Sequence, residues 1–188
     1  ETTQLPDIYK IDLKQRSAGT RLIASNGAEF ASFGDLYKKP ISFKKIPKPV
    51  VNALLATEDR RFYNHLGLDP ISIIRAMGVN LRAGSITQGG STLTQQLAKN
   101  LFLTPKRSFR RKVQELLLAF WLESSFEKDQ ILTIYLNRVY FGSGTYGIQA
   151  ASYHYFNKSA EFLTLHDSAL LIGLLKAPSR YNPIANPG

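Results

Sequence analysis

From Val50 onward the chain keeps stopping and restarting helices. Asp69-Pro70 places a capping side chain before a proline at the first helical position, and Thr104-Pro105 repeats the device. Ser91 or Thr92 can cap TLTQQLAKNLF, while Ser124-Ser-Phe-Glu127 and Thr164-Leu-His-Asp167 both read as capping boxes. A chain punctuated this often is expected to fold as several short helices, a mainly α domain. PVVNALLATEDRRFYNH reads as one helix from about Pro49, and ISIIRAMGVNLRAG follows Asp69-Pro70. GSITQGG (84–90) reads as a flexible loop. The Thr104 helix should run to about Glu123, the next to about Leu136, and the last should end before Pro178. Ahead of all these, TRLIASNGAEFASFG alternates apolar positions around Asn26-Gly27, a β-hairpin signal, and Pro40, Pro47 and Pro49 punctuate a connector. No internal repeat or low-complexity tract is present in the sequence.

Composition narrows the partners. Hydrophobic residues make up 44% of the 188, enough for a core. Lys and Arg number 24 against 14 Asp and Glu, a net charge of +10, which points to nucleic acid, an anionic membrane surface or a phosphorylated substrate. The absence of cysteine excludes a disulfide framework, a thiol nucleophile and a Cys-based zinc site. The longest apolar runs, LLLAFWL (116–122) and ALLIGLL (169–175), fall short of the ~20 residues that cross a bilayer. With Glu1 first and no signal peptide, the chain is expected to be an excised fragment whose flanking parts, including any anchor, lie outside it.

Five segments can carry chemistry. In ATEDRRFYNHLG (56–67), Glu58 and Asp59 are adjacent at the end of an apolar stretch. Successive helical residues point about 100° apart, so one carboxylate can face inward and the other solvent. A carboxylate held against an apolar wall can trade protons near neutral pH. A solvated pair beside Arg60 and Arg61, with His65 as a structural hydrogen-bonding group, is the plainer reading. In QGGSTLTQQLAKN (88–100), Gly89-Gly90 lead into a helix start bearing Ser91, Thr92, Thr94, Gln95 and Gln96. This surface suits an anion or a sugar, and an ordinary capped loop equally. In 99–115, Lys99, Lys106, Arg107, Arg110, Arg111 and Lys112 precede the first acid, Glu115. Cations at a helix start oppose the macrodipole by roughly 0.3–1 kcal/mol each. Their retention favours an anion such as pyrophosphate over a solvated surface. In 129–152, a helix with Ile131, Leu132, Tyr135 and Leu136 on one face runs into FGSGTYG, where Tyr140, Phe141 and Tyr146 can stack on sugar rings, though core packing is the commoner explanation. In 66–86, Ile71, Ile73, Ile74, Met77, Val79 and Leu81 spread around a helix that is either buried or touches a membrane.

Together these segments resemble the peptidoglycan glycosyltransferases of family 51, the domain that begins class A penicillin-binding proteins and also occurs alone. Five motifs stand in order, ATEDRRFYNHLG, GGSTLTQQLAKN, RRKVQE, ILTIYLN and KAPSRYNP, over residues 56–183. The resemblance implies a lysozyme-like helical fold with a larger globular lobe, a small hydrophobic jaw lobe at about 66–87, and a short N-terminal β-hairpin. The expected division is 1–46 for hairpin and connector and 47–188 for the catalytic domain. It implies that the C4 hydroxyl of an acceptor lipid II attacks C1 of the lipid-linked donor, inverting α to β and releasing undecaprenyl pyrophosphate. Glu58 is then the general base and Glu115 the second carboxylate, which assists the leaving group, positions Lys112 or Arg111, or holds a divalent ion. Asp59, His65, Ser91, Thr92, Gln95, Gln96, Lys99, Asn100, Arg107, Arg111 and Lys112 form the substrate-binding set. Lys99, Arg107 and Lys112 hold pyrophosphate, whose departure needs charge neutralisation more than a strong acid. Asn137 and Arg180 are expected to be structural.

The same resemblance implies lipid II and the growing lipid-linked glycan, the membrane surface and a moenomycin-type phosphoglycolipid inhibitor as partners. It places the domain on the extracytoplasmic face of the bacterial inner membrane. No cofactor is required, and a divalent cation (Mg or Mn) is left open. A lysozyme-like hydrolase or lytic transglycosylase shares the fold and a catalytic Glu but has no pyrophosphate to hold. A non-enzymatic basic module would spread its cations over a broad face. Six cations in fourteen residues beside a candidate Glu make nucleic acid the least fitting partner.

Overall fold

The computed structural model describes residues 20–23, 25, 29–33, 38–85, 87–103, 108–178 and 180–181. The fold is mainly helical. Strands β1 (Thr20–Ile23) and β2 (Glu29–Phe33) pair antiparallel, with an irregularity between Leu22 and Ile23. The Asn26-Gly27 turn lies outside the described residues. Seven α-helices follow among the described residues: α1 (Lys48–Glu58), α2 (Pro70–Ala83), α3 (Leu93–Phe102), α4 (Phe109–Ser125), α5 (Lys128–Arg138), α6 (Ile148–Phe156) and α7 (Leu165–Leu175).

Local chemistry sets most of these boundaries. Asp69 caps α2 by accepting from Ile71 and Ser72 N–H, and Gly84 ends it in the left-handed conformation. Thr92 with Gln95, and Thr164 with Asp167, close the capping boxes of α3 and α7. Three boundaries differ from expectation. Helix α1 stops at Glu58 instead of running to His65, and a 3-10 turn occupies Phe62–Asn64. Helix α4 starts after Ser108, whose hydroxyl accepts from Arg111 N–H; the expected Thr104-Pro105 start lies outside the described residues. The Ser124–Glu127 box does not form. Helix α4 continues through Ser125, Ser124 Oγ turns back to Trp121 C=O, and Gln130 accepts the Glu127 N–H.

The described residues fall into two compact units, Glu58–Leu132 and the described parts of 12–57 with 133–188. The first is built on Leu93, Leu97, Leu118, Leu122, Ile131 and Leu132, all buried, with Phe62 closing the turn after α1. The second buries Leu54, Tyr135, Leu136, Phe141, Ile148 and Leu171. In it Asn137 plays the expected structural part, accepting from Ile41 N–H at 2.9 Å and donating to Ile41 C=O at 2.8 Å. The aromatics of FGSGTYG also serve packing: Phe141 is buried, and Tyr140 lies 4.8 Å from Tyr146, ring centre to ring centre.

Helix α2 departs from the usual inside-outside rule. Ile71, Ile74, Met77 and Leu81 are 54%, 69%, 58% and 81% exposed, and only Ala76 is buried. Of the two readings of this segment, the fully buried helix is excluded.

Candidate active site

Helix α1 ends where it does because Asp59 turns inward. Its Oδ2 accepts the Leu93 N–H at 3.0 Å, the first amide of α3, which no helical carbonyl can satisfy. The same carboxylate faces His65 Nε2 at 3.0 and 3.1 Å. Gly67 N–H donates to His65 Nδ1 at 3.2 Å, so the neutral ring keeps its proton on Nε2 and donates it to Asp59. Asp59 and His65 are both buried. Gly67 is the tight point of this turn. It has φ +86°, and a Cβ there would stand 3.2 Å from the Ala119 backbone.

With Asp59 inward, Glu58 is left half-buried, and its Oε2 accepts from Gln96 Nε2 at 2.9 Å. Gln96 belongs to the first turns of α3, whose start is fixed twice. Thr92 Oγ1 accepts from Gln95 N–H at 3.2 Å and donates to Gly67 C=O at 2.7 Å. Gln95 Oε1 returns the bond by accepting from Thr92 N–H at 3.3 Å.

Lys112 gathers the other side of the site. Its Nζ donates to Ser91 Oγ at 3.0 Å, to Gln95 Oε1 at 3.4 Å and to Glu115 Oε1. Glu115 is 3% exposed, a buried carboxylate one helical turn from its cation. The two candidate carboxylates are therefore reached from adjacent residues of α3: Glu58 from Gln96, and Glu115 through Lys112 from Gln95. Among the described residues, Gln95 Nε2 and Arg111 Nε are buried donors with no hydrogen-bond partner. The expected cations at the start of α4 include Arg110, Arg111 and Lys112, all within its first turns. Arg107 lies outside the described residues. Lys99 and Asn100 are exposed on the last turn of α3, and the bonds just described do not reach them.

No group of three His, Asp or Glu side chains suited to a metal is found among the described residues. Glu115 faces an ammonium. The donor set among the described residues does not fit a divalent ion.

A chain of this length, with these motifs in this order, matches a family model described as Transglycosylase over residues 26–188. The chain belongs to the transglycosylase family. It is 46% identical to penicillin-binding protein 1A of Aquifex aeolicus (strain VF5), over 97% of this chain and 25% of that protein. It is 47% identical to penicillin-binding protein 1F of Bacillus subtilis (strain 168), over 95% of this chain and 25% of that protein. This transglycosylase domain thus spans about a quarter of the length of the curated relatives it matches. A crystal structure of penicillin-binding protein 1A from Haemophilus influenzae aligns with a TM-score of 0.46 at 20% identity, over 92% of this chain and 16% of that one. The expected enzyme class, a peptidoglycan glycosyltransferase, is borne out by the family model and these relatives.

Some residues around the site escaped the sequence reading. Glu123, expected only as a helix end, has a nearly buried carboxylate that accepts from Thr94 Oγ1 at 2.6 Å and from Lys128 Nζ at 2.8 Å. Lys128 also donates to His65 C=O at 2.6 Å and lies 4.4 Å over the Phe62 ring. This knot ties α3, α4 and α5 to the His65 turn. Lys128 stands in a stretch rich in charge, FEKDQ, where nothing local marks it as inward-facing.

Proposed function

We propose that this domain polymerises lipid II into β-1,4 glycan strands, with Glu58 as the general base. The observation that carries the reading is the setting of Glu58. It is half-buried and, among the described residues, accepts from one neutral donor, Gln96, while its neighbour Asp59 takes the structural duties. An acceptor C4 hydroxyl presented to Glu58 gives up its proton as its oxygen bonds to C1 of the donor, and undecaprenyl pyrophosphate leaves with the electron pair of the broken bond. Such a positioned base supplies typically about 10²–10⁴-fold. The basic start of α4 holds the pyrophosphate and offsets the charge it carries in the bound donor. Gln95 Nε2 and Arg111 Nε fit this role, since a buried donor without a partner costs about 1–3 kcal/mol that a ligand oxygen relieves. Lys112 and Glu115 act as a pair, the carboxylate steering the ammonium it touches. Ser91 and Gln96 face the donor sugar or phosphate, and Thr92 holds the loop that presents them.

The segment about 66–87 serves as the hydrophobic jaw, and the bare face of α2 rests on the membrane that carries the substrate lipid. In this reading 47–188 is the catalytic domain of lysozyme-like fold, 1–46 its lead-in, and the site works at the extracytoplasmic face of the inner membrane. No helix among the described residues is long and apolar enough to cross a membrane. Incubation of the domain with labelled lipid II tests the reading. Glycan ladders are expected. Shortening of preformed strands without ladders would replace it with a hydrolase or lytic transglycosylase.

A further inference from the structure

Between α2 and α3 the chain reads as a flexible glycine-rich loop, yet one side chain of α2 holds it. Asn80 Oδ1 accepts from the Thr87 N–H at 2.9 Å, the Thr87 hydroxyl at 3.2 Å and the Gln88 N–H at 2.9 Å. Its Nδ2 donates to Gln88 C=O at 2.9 Å. One amide thus engages both backbone groups of Gln88 and both donors of Thr87, with no helix or sheet to do so. Two residues further on, Gly90 lies flat against α2, and a Cβ there would stand 3.2 Å from Ile73 Cα. The next residue is Ser91, whose hydroxyl accepts from Lys112.

We propose that Asn80 is a positioning residue for substrate binding. It latches the Thr87–Ser91 segment to α2, and so sets the Ser91–Lys112 end of the site in register with the apolar helix that precedes it. The inference rests on the lipid II reading of that site. It assigns a part to a side chain that touches none of the residues called substrate-binding. Glu58 is held separately, by Gln96 within α3, whose own capping box does not involve Asn80. Loss of the latch therefore acts on binding and leaves the base in place, the pattern that raises KM without lowering kcat.

The test is steady-state lipid II polymerisation by this chain and by Asn80→Ala and Asn80→Asp. Asn80→Ala is expected to raise KM about five- to tenfold with kcat within about twofold. Asn80→Asp keeps the acceptor oxygen but not the amide donor, and should fall between alanine and wild type. A merely structural role has the opposite signature, a lower active fraction that reduces apparent kcat at unchanged KM, and that result would overturn the latch. So would an unchanged KM in Asn80→Ala. If the wild type itself makes no glycan, the lipid II reading fails and the latch with it. An active wild type with an indifferent Asn80→Ala removes the latch alone.

Discussion

Two neighbouring regions break the inside-outside rule in opposite directions. Around α3 the polar groups are inside: Asp59, His65, Thr92, Gln95 and Glu115 are all buried, and each is bonded within the site, with Gln95 Nε2 left over. On α2 the apolar groups are outside, with Ile71, Ile74, Met77 and Leu81 open over about three turns. Burying a polar group is costly unless it is paired, and baring an apolar face gains nothing in water. The first region is tied together by these bonds, and through Gln96 it holds Glu58. The second contributes little to folding, so its sequence answers to something other than the core.

The comparison breaks most sharply at Asp59. Asp59→Ala strands the Leu93 N–H and the His65 Nε2–H in a dry site, at about 1–3 kcal/mol each. A stability loss of about 2–5 kcal/mol is expected in urea unfolding. A loss under about 1 kcal/mol would mean the knot is not what holds the turn. On α2 the same measurement should show almost nothing. Replacing Ile74, Met77 and Leu81 together by Ser is expected to keep stability within about 1 kcal/mol, because exposed positions cost little each. The triple variant should instead bind anionic lipid vesicles at least about tenfold more weakly, since each fully buried side chain of this size is worth about 1.5–3 kcal/mol. Weak stability with unchanged vesicle binding would make α2 a core helix after all.

A smaller effect comes from a polar pair outside the knot. Lys158 hydrogen-bonds Asp167 at 2.6 Å, and this bond, ahead of the bonds from Thr164 and against some burial, holds the Asp167 carboxyl down at about 2. A depressed carboxylate adds stability that is fully present above its ordinary value and fades as pH falls toward the lowered one. Lys158→Ala should therefore be less stable than wild type at pH 7, with the gap closing between about pH 4 and pH 2. Urea midpoints at three pH values read this directly. A gap independent of pH would show that the pair contributes through packing alone.

What could be read from the sequence was local. Asp69, Thr92 and Thr164 announce their caps within four residues, and Glu58, Gln96, Lys112 and Glu115 stand in motifs whose order the eye can follow. What escaped depended on partners far along the chain. The end of α1 is decided by an amide thirty-four residues away, so a helix pattern that ran on to His65 misled. Glu123 and Lys128 look like ordinary surface residues until three helices bring them together with Thr94. Asn80 sits in a helix and shows its role only through the loop that folds back over it. Of the two carboxylates at the end of α1, periodicity allowed one to turn inward but left a solvated pair as the plainer reading, and only the position of α3 determined that Asp59 turns in.

That division of labour between Glu58 and Asp59 is most directly tested by Glu58→Gln. The amide keeps the size of the side chain and can still hydrogen-bond Gln96, but it cannot take a proton. Labelled lipid II binding and polymerisation would be measured on the same preparation. Binding within about threefold of wild type with turnover down at least about 10²-fold is the expected result. Turnover within tenfold of wild type would contradict Glu58 as the base.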